Sequence, residues 1–225
     1  MARIVKNRDV RRSEILEVAQ RLFYQKGYEQ TSIQDIINEI GIAKGTFYHY
    51  FGSKQELLDA IIEWMVGQTL QTLQPVVEDE QLSALEKFNQ YFAQAENWKV
   101  ENKTFFLDIL RSWYNDDNAI FRHKIETASI REVIPTLAKI IEQGIAEGVF
   151  AAHDPVEIAE IIMGIGYQFS RSIAAILLDT AANEYCLPQV EKKVTAVQFA
   201  IERVLNAPAG SITVFDIERT KHWFD

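Results

Sequence analysis

The chain has 225 residues, 48% of them hydrophobic and 24% charged, which excludes a disordered protein and predicts one or two folded domains. Its formal net charge of −9 argues against a nucleic-acid-binding surface over the whole molecule, because acidic surface repels phosphate. A single cysteine, Cys186, excludes an internal disulfide, and no apolar run is long enough to span a bilayer, so we expect a soluble, cytoplasmic protein.

The amino-terminal segment differs in charge from the rest of the chain. Residues 1–54 hold nine Lys or Arg against six Asp or Glu, net +3, which leaves −12 for the remainder. Any contact with nucleic acid is therefore expected in this segment. Its first residues form a cationic arm that suits phosphates, or equally a solvated tail without function. The basic residues of this arm are Arg3, Lys6, Arg8, Arg11 and Arg12.

Residues 31–54, TSIQDIINEIGIAKGTFYHYFGSK, predict two short helices joined by a tight turn, a geometry that places side chains in the DNA major groove. Ser32 suits the amino-terminal cap of the first helix, and Asp35 favours the positive end of its dipole. Gly41 suits the left-handed residue that ends a helix. The two helices and the turn therefore form a candidate helix-turn-helix motif.

The second helix of this motif is predicted to begin near Ala43 and to run for about two turns. Phe47 and Phe51 are four residues apart and suit its inner face. The run SKQE at 53–56 predicts a capping box that starts a long fourth helix at Lys54. The outer face then presents donors and a cation that suit phosphates and base edges, on Lys44, Thr46, Tyr48, His49 and Tyr50.

At this point the sequence resembles a known family. The runs TSIQDIINEIG and GIAKGTFYHYFGSKQEL resemble, in order and spacing, the helix-turn-helix of TetR-type transcriptional regulators, and RRSEILEVAQRLFYQKGYEQTS resembles their first helix. The match covers about a quarter of the chain. Ile37, Ile40 and Tyr50 depart from the residues that are usual in the family. Without the resemblance, two amphipathic helices around a glycine are equally compatible with a helical protein-interaction module that never binds DNA.

The resemblance implies a three-helix DNA-binding head over residues 1–54 and a set of DNA contacts within it. Base contacts are expected from Gln34, Lys44, Thr46 and His49. Gly45 is small enough to let the backbone approach DNA. Phosphate contacts are expected from Thr31, Ser32, Tyr48, Tyr50 and Lys54.

From Lys54 onward the pattern predicts an all-helical body over residues 55–206. Pro75 is expected to end the fourth helix, and Pro135 to kink or break a later one. Asp154 and Pro155 give the clearest helix start in the body. Further helices are expected near residues 80–98, 102–114, 117–147, 155–179 and 188–206.

The last two of these helices carry long apolar stripes. The resemblance implies that they pair with their copies in a second subunit to form a four-helix dimer interface, whereas periodicity alone also allows a monomer core. The predicted core face of the first is Ile158, Ile161, Ile162, Ile165, Phe169, Ile173 and Ile176. The heptad-like seam of the second is Val190, Val194, Val197, Ile201 and Val204.

Aromatic residues concentrate in the middle of the chain, where they suit either an apolar effector pocket or ordinary core. The candidate ligand-binding residues are Phe105, Phe106, Trp113, Tyr114, Phe121, Met163 and Tyr167, with Phe169 beside them and Arg111, His123 and Gln168 as possible polar groups. By resemblance, an effector bound there pivots the fourth helix and changes the separation of two DNA-binding heads.

No spacing typical of a metal site, phosphate loop or nucleophile elbow occurs, so we expect no metal, no cofactor and no enzymatic activity. Residues 207–225 are an apolar tail without an assigned role, expected to pack on the body or across a dimer. The sequence therefore predicts a homodimeric, ligand-responsive repressor. It would bind a palindromic DNA operator and be released by a small apolar or aromatic effector.

Overall fold

The structure is a computed structural model that describes residues 8–101, 107, 110–178 and 186–214. Within these residues it is helical and contains no strand, which confirms the all-α prediction. None of the helices described is long and apolar enough to cross a bilayer. The helices are α1 (Arg8–Lys26), α2 (Ile33–Ile40), α3 (Lys44–Tyr50), α4 (Lys54–Glu78), α5 (Ala84–Glu101), α6 (Ala119–Ala146), α7 (Pro155–Leu177) and α8 (Leu187–Leu205), with a short 3₁₀ helix at Asp116–Asn118.

The chain divides into two compact units. The first comprises residues 1–68 and 111–128, and the second comprises residues 69–110 and 129–225. The first unit therefore extends past the boundary expected at residue 54. The start of α4 belongs to it because Leu57 and Leu58 are fully buried there.

Asn118 joins the later segment of the first unit to the end of α1. Its side-chain oxygen accepts a hydrogen bond from the Tyr28 N–H at 2.7 Å, and its amide nitrogen donates to the carbonyl oxygens of Phe23 at 3.1 Å and Ser112 at 3.0 Å. The Asn118 side chain is buried, so these bonds satisfy its own amide groups, which water cannot reach. This buried amide fixes the turn after α1, and that turn leads into the helix-turn-helix motif.

The second unit has a main apolar core to which α5, α6, α7 and α8 contribute, beside a smaller cluster of Phe169, Val190 and Val194. Phe150 belongs to the main core and packs directly on the backbone of Gly144. Only glycine fits there, because a Cβ at position 144 would lie 2.0 Å from the Phe150 ring. Two residues of the tail, Ile212 and Val214, are also buried in the main core. The described part of the tail therefore packs on the body, one of the two places expected for it.

The heptad-like seam of α8 is confirmed as a packing surface, since Val190, Val194 and Ile201 are buried and α8 packs along α7. In α7, the buried residues include Ile162 and Phe169, as predicted. Ile161 was also predicted to face the core, and this was wrong, because its side chain is 49% exposed. Successive residues of a helix point about 100° apart, so Ile161 lies at the margin of the face on which Ile162 is buried.

Pro75 was expected to end the fourth helix, but α4 continues to Glu78. A proline in the last turn removes one backbone donor, which a helix end tolerates better than its middle. Pro135 lies within α6 and does not break it. The helix predicted near residues 102–114 falls mostly outside the described residues, although residues 110–113 are helical.

Candidate nucleic-acid interface

The first helix of the motif, α2, has the predicted ends. The Ser32 hydroxyl accepts from the Asp35 N–H at 3.1 Å, and the Asp35 carboxylate accepts from the Ser32 N–H at 2.8 Å, which completes a capping box. The hydrogen bonds from the Ser32 hydroxyl and N–H lower the pKa of Asp35. Gly41 ends the helix with φ 74° and donates its N–H to the Ile37 carbonyl.

The second helix of the motif, α3, has one buried and one exposed side. Phe47 on α3 and Phe51 directly after it are buried, which confirms the predicted inner face, and their ring centroids lie 6.1 Å apart. The guanidinium of Arg12 lies 5.4 Å from the Phe51 ring centroid, an attractive cation–π arrangement. These contacts hold α3 so that its opposite side faces away from the core of the first unit.

The exposed side of α3 carries the predicted polar residues. Lys44, Tyr48 and His49 are exposed, and Thr46 and Tyr50 are half-buried. The Lys44 ammonium lies 5.9 Å from the centroid of the Tyr48 ring. This face therefore presents a cation, hydroxyl groups and an imidazole, all of which form hydrogen bonds with phosphates or base edges.

Gly45 lies on the same exposed side, and no contact within the described part of the chain requires it to be a glycine. A Cβ built at this position meets no atom within 4 Å, and its φ is not positive. A glycine inside a helix costs about 0.5–1 kcal/mol relative to alanine. The gain that offsets this cost is therefore expected from a partner that approaches the backbone closely.

Two of the predicted contact residues in and before α2 have their polar groups engaged within the protein. Thr31 is buried, and its hydroxyl donates towards the carbonyls of Gly27 at 2.8 Å and Leu22 at 3.2 Å. It is therefore removed from the phosphate-contacting set, because DNA cannot reach the hydroxyl. Ser32 is exposed, but its hydroxyl belongs to the capping box and also donates to Asp35 at 2.6 Å.

Gln34, a predicted base contact, is exposed on α2. Its amide nitrogen donates to the Asn38 side-chain oxygen at 2.8 Å, one turn further along the same exposed face. A bond between two exposed side chains exchanges readily with water, so Gln34 keeps access to a partner.

Lys54 begins α4 and is half-buried. Its ammonium donates to the Glu29 carbonyl at 3.3 Å and lies 4.2 Å from the centroid of the Tyr28 ring. Burial lowers the pKa of Lys54, and the charge of Glu29 opposes that shift. An ammonium has three donors, so this position holds the charge in place and leaves further donors for an anion.

The capping box predicted for α4 forms in part. The Glu56 N–H donates to the Ser53 hydroxyl at 3.0 Å as expected. The Glu56 carboxylate, however, accepts from the N–H of Gly52 at 2.8 Å, so the return bond goes to the residue before the cap. Either bond fixes the entry of α4 directly after α3.

The predicted effector residues fall in different parts of the chain. Phe105 and Phe106 lie outside the described residues. Phe121 is fully buried in the first unit, with ring centroids 5.9 Å from Phe23 and 5.8 Å from Trp113, and it is therefore core there. In the same unit, Tyr114 is half-buried, with the Arg122 guanidinium 5.4 Å from its ring centroid. Arg111 and His123 are exposed there as well.

The remaining predicted effector residues, Met163 and Tyr167, are half-buried on α7 in the second unit, and Gln168 beside them is exposed. A further tyrosine of that unit, Tyr91 on α5, was missed by the sequence reasoning. Burial raises the pKa of Tyr91, and Tyr167 adds to the shift. Among the described residues, no hydrogen-bond partner of its hydroxyl is found. A tyrosine flanked by Phe88 and Phe92 on an apolar helix face was the available signal.

Two family models match the chain. One, described as "Bacterial regulatory proteins, tetR family", matches residues 15–61, and the other, "Tetracyclin repressor-like, C-terminal domain", matches residues 110–198. The uncharacterized HTH-type transcriptional regulator YfiR of Bacillus subtilis is 26% identical over 67% of this chain and 73% of that protein. The HTH-type transcriptional repressor KstR2 of Rhodococcus jostii is 23% identical over 78% of this chain and 87% of that protein.

Solved structures share the fold at low identity. A TetR-family transcriptional regulator from Pectobacterium atrosepticum superimposes with a TM-score of 0.61 at 23% identity, over 92% of this chain and 100% of that chain. The reduced form of NemR from E. coli gives a TM-score of 0.60 at 18% identity, over 88% of this chain and 99% of that chain. Both solved structures therefore share the helical fold over most of this chain.

Proposed function

Because this chain belongs to the TetR family of non-enzymatic, DNA-binding transcriptional regulators, we propose that it is a repressor that binds a palindromic operator as a homodimer. A small apolar or aromatic effector would release it from the operator. The cytoplasm, where bacterial DNA lies, is the compartment that this role requires.

The observation that carries the DNA-binding part is the two-sided character of α3. Phe47 and Phe51 anchor its buried side in the core of the first unit, and the opposite side exposes Lys44, Gly45 and His49 to solvent. In this proposal Lys44, Thr46 and His49 reach base edges, together with Gln34 from α2. Tyr48, Tyr50 and Lys54 bind phosphates, and Ser32 at its cap contributes at the edge of the contact.

Exposed apolar residues on α7 and α8 support the homodimer. Val156 and Ile161 on α7 and Phe199 on α8 are all large and exposed. Gly164 on α7 leaves open space, so a second helix has room to approach its backbone. Two recognition helices presented by a dimer match successive major grooves about 34 Å apart, which is why a palindromic operator is proposed.

The effector part of the proposal rests on the second unit. Met163 and Tyr167 on α7 and Tyr91 on α5 are partly buried side chains in an apolar setting. The Tyr91 hydroxyl is partly buried and has no hydrogen-bond partner among the described residues, which favours a ligand that brings a polar atom to it. We infer that the effector is mainly apolar and carries at least one hydrogen-bond acceptor.

Selection of bound fragments from random duplex DNA tests the proposal directly. We expect an enriched inverted repeat, and fluorescence anisotropy on it should show affinity that falls steeply as salt rises. Lys44→Ala should weaken binding to that site by about tenfold or more, as expected for loss of a base contact. Lys139→Ala, which removes an exposed lysine of α6 in the second unit, is the matched control and should bind as the parent does.

The alternative is a helical protein-interaction module that does not bind DNA. Failure to enrich any sequence, together with equal anisotropy for Lys44→Ala and the parent, would favour that alternative. An enriched site without inverted symmetry would retain DNA binding and reject the proposed dimer on a palindrome.

A further inference from the structure

Residues 211–214 run as an extended segment beside α5 and α8 within the second unit. The chain leaves α8 through Asn206, which adopts a left-handed conformation with φ 51°. It then reverses in a turn in which the Ser211 N–H donates to the Pro208 carbonyl at 3.2 Å and Gly210 has φ 75°. This turn brings the segment back along the helix that precedes it.

Side chains, and not a neighbouring strand, satisfy the backbone of this segment. Asn89 on α5 donates from its amide nitrogen to the Ser211 carbonyl at 2.9 Å and accepts from the Thr213 N–H at 2.9 Å. The two hydrogen bonds therefore bind the backbone on both sides of Ile212. An amide side chain that donates and accepts in this way recognises an extended chain without regard to its side chains.

Two residues of α8 bind the backbone of Ile212 itself. Gln198 donates to the Ile212 carbonyl at 3.0 Å, and the buried carboxylate of Glu202 accepts from the Ile212 N–H at 3.3 Å. Four consecutive backbone groups of the segment therefore bond to side chains of α5 and α8. The Ile212 and Val214 side chains are buried, whereas Thr213 between them is exposed, the alternation of an extended strand.

We propose a binding site for an extended peptide of the pattern Ile-x-Val, formed by Asn89, Gln198 and Glu202. The site includes the two apolar positions that the Ile212 and Val214 side chains occupy, which we call its seats. Residues 211–214 are its intramolecular ligand. Both Asn89 and this segment lie outside the stretches that match the family models, residues 15–61 and 110–198. Gln198 is the last residue of the second of these stretches, and Glu202 follows it.

The short connection between α8 and the segment, residues 206–210, acts as a tether and sets the affinity that this proposal requires. A short connection supplies an effective concentration on the order of 1 mM, so a segment that is seated most of the time needs a dissociation constant of about 0.1 mM or tighter. A free peptide then binds the parent protein at least about tenfold more weakly than a protein whose own segment has been displaced, because the tethered segment competes.

The test uses the full-length protein with Ile212→Asp, which places a charge in an apolar seat and displaces the segment. Fluorescein-labelled Gly-Ser-Ile-Thr-Val-amide is titrated to 1 mM, on the order of the tether's effective concentration, and binding is followed by anisotropy. We expect saturable binding to the variant, and binding at least about tenfold weaker to the parent. Thr213→Asp introduces the same charge at the exposed neighbour and should behave as the parent does.

Two further arms establish specificity. A peptide with isoleucine and threonine exchanged places the isoleucine on the exposed face and a threonine in the buried position of Ile212, and should not bind. Adding Asn89→Ala to Ile212→Asp should weaken binding of the original peptide by about tenfold, as expected for two lost hydrogen bonds. If Ile212→Asp does not fold, Val214→Asp, which vacates the second seat, takes its place.

Absence of binding at 1 mM to a folded, displaced variant would overturn the proposal and make the segment an inseparable part of the core. Equal binding to parent and variant would also overturn it, because the peptide would then bind elsewhere.

Discussion

The exposed side of α3 and the exposed sides of α7 and α8 differ in chemistry, although each lies on a helix whose other side is buried. On α3 the exposed residues are a cation, an imidazole, hydroxyl groups and a glycine in open space. On α7 and α8 they include Ile161 and Phe199. A polar face gains free energy from a hydrated, charged partner such as DNA, whereas exposed apolar side chains gain it when a protein surface excludes water. The proposed function therefore gives DNA to the face of α3 and a second copy of the chain to the faces of α7 and α8.

The largest effect is expected from a charge in the apolar face. Ile161→Asp should convert the protein to a monomer at micromolar concentration, because a carboxylate buried in an apolar interface lacks a partner. Operator affinity should fall by about 100-fold or more, since two heads then no longer bind as one particle. Sedimentation equilibrium measures the first effect and anisotropy on the selected operator measures the second.

Ile120→Asp is the matched control for that prediction. Ile120 is 47% exposed on α6, against 49% for Ile161, but it belongs to the first unit. The same charge there should leave the dimer intact. If Ile161→Asp stays dimeric, or if both variants dissociate equally, the apolar face of α7 and α8 is not the interface.

The next largest effect concerns the buried side-chain amide of Asn118 in the first unit. Asn118→Ala leaves the buried Tyr28 N–H without its partner and removes one of the two donors to the Phe23 carbonyl, which also accepts from the Gly27 N–H, and this should lower the free energy of unfolding by about 1–3 kcal/mol. Asn115→Ala removes an exposed side-chain bond to the Asp117 N–H and should cost less. Urea denaturation compares the two, and an equal loss would show that the buried amide has no special role.

Gly45→Ala should change stability and DNA binding in opposite directions. Alanine fits the open space at position 45 and should raise the free energy of unfolding by about 0.5–1 kcal/mol. The added methyl group should obstruct the backbone's approach to DNA, and we expect affinity to fall by about tenfold. Thermal denaturation and anisotropy provide the two readouts.

Gly67→Ala on α4 separates helix propensity from DNA contact. Gly67 also lies in a helix with no atom within 4 Å of a built Cβ, so alanine should stabilise it similarly. Its DNA affinity should equal that of the parent. Unchanged operator affinity in Gly45→Ala would remove the proposed close approach of backbone and DNA.

Local signals explain what the sequence predicted correctly. The capping box of Ser32 and Asp35 and the left-handed Gly41 involve residues at most a few positions apart, so the sequence displays them directly. The start of α7 is similar, because Asp154 caps the N–H groups of Val156 and Glu157. The polar face of α3 follows from the same short-range periodicity.

Contacts between distant residues were not predictable in this way. Thr31 was assigned to phosphate, yet its burial depends on how α1 and the following turn pack around it. Asn118 and Tyr28 are 90 positions apart, and Asn89 and Thr213 are 124 apart. Nothing in the local pattern of an asparagine distinguishes a buried amide from an exposed cap, so these roles required the fold.

The smallest effect is expected at the edge of the polar face, from Lys54→Met. Methionine keeps the apolar stem over the Tyr28 ring and removes the ammonium that lies 4.2 Å from it. If this ammonium binds a phosphate, affinity should fall by a similar, few-fold factor for every DNA sequence, and the salt slope should decrease by about one. Lys139→Met should leave both quantities unchanged. A slope equal to the parent's would confine the role of Lys54 to holding the Glu29 carbonyl, and the contact with DNA would then end at α3.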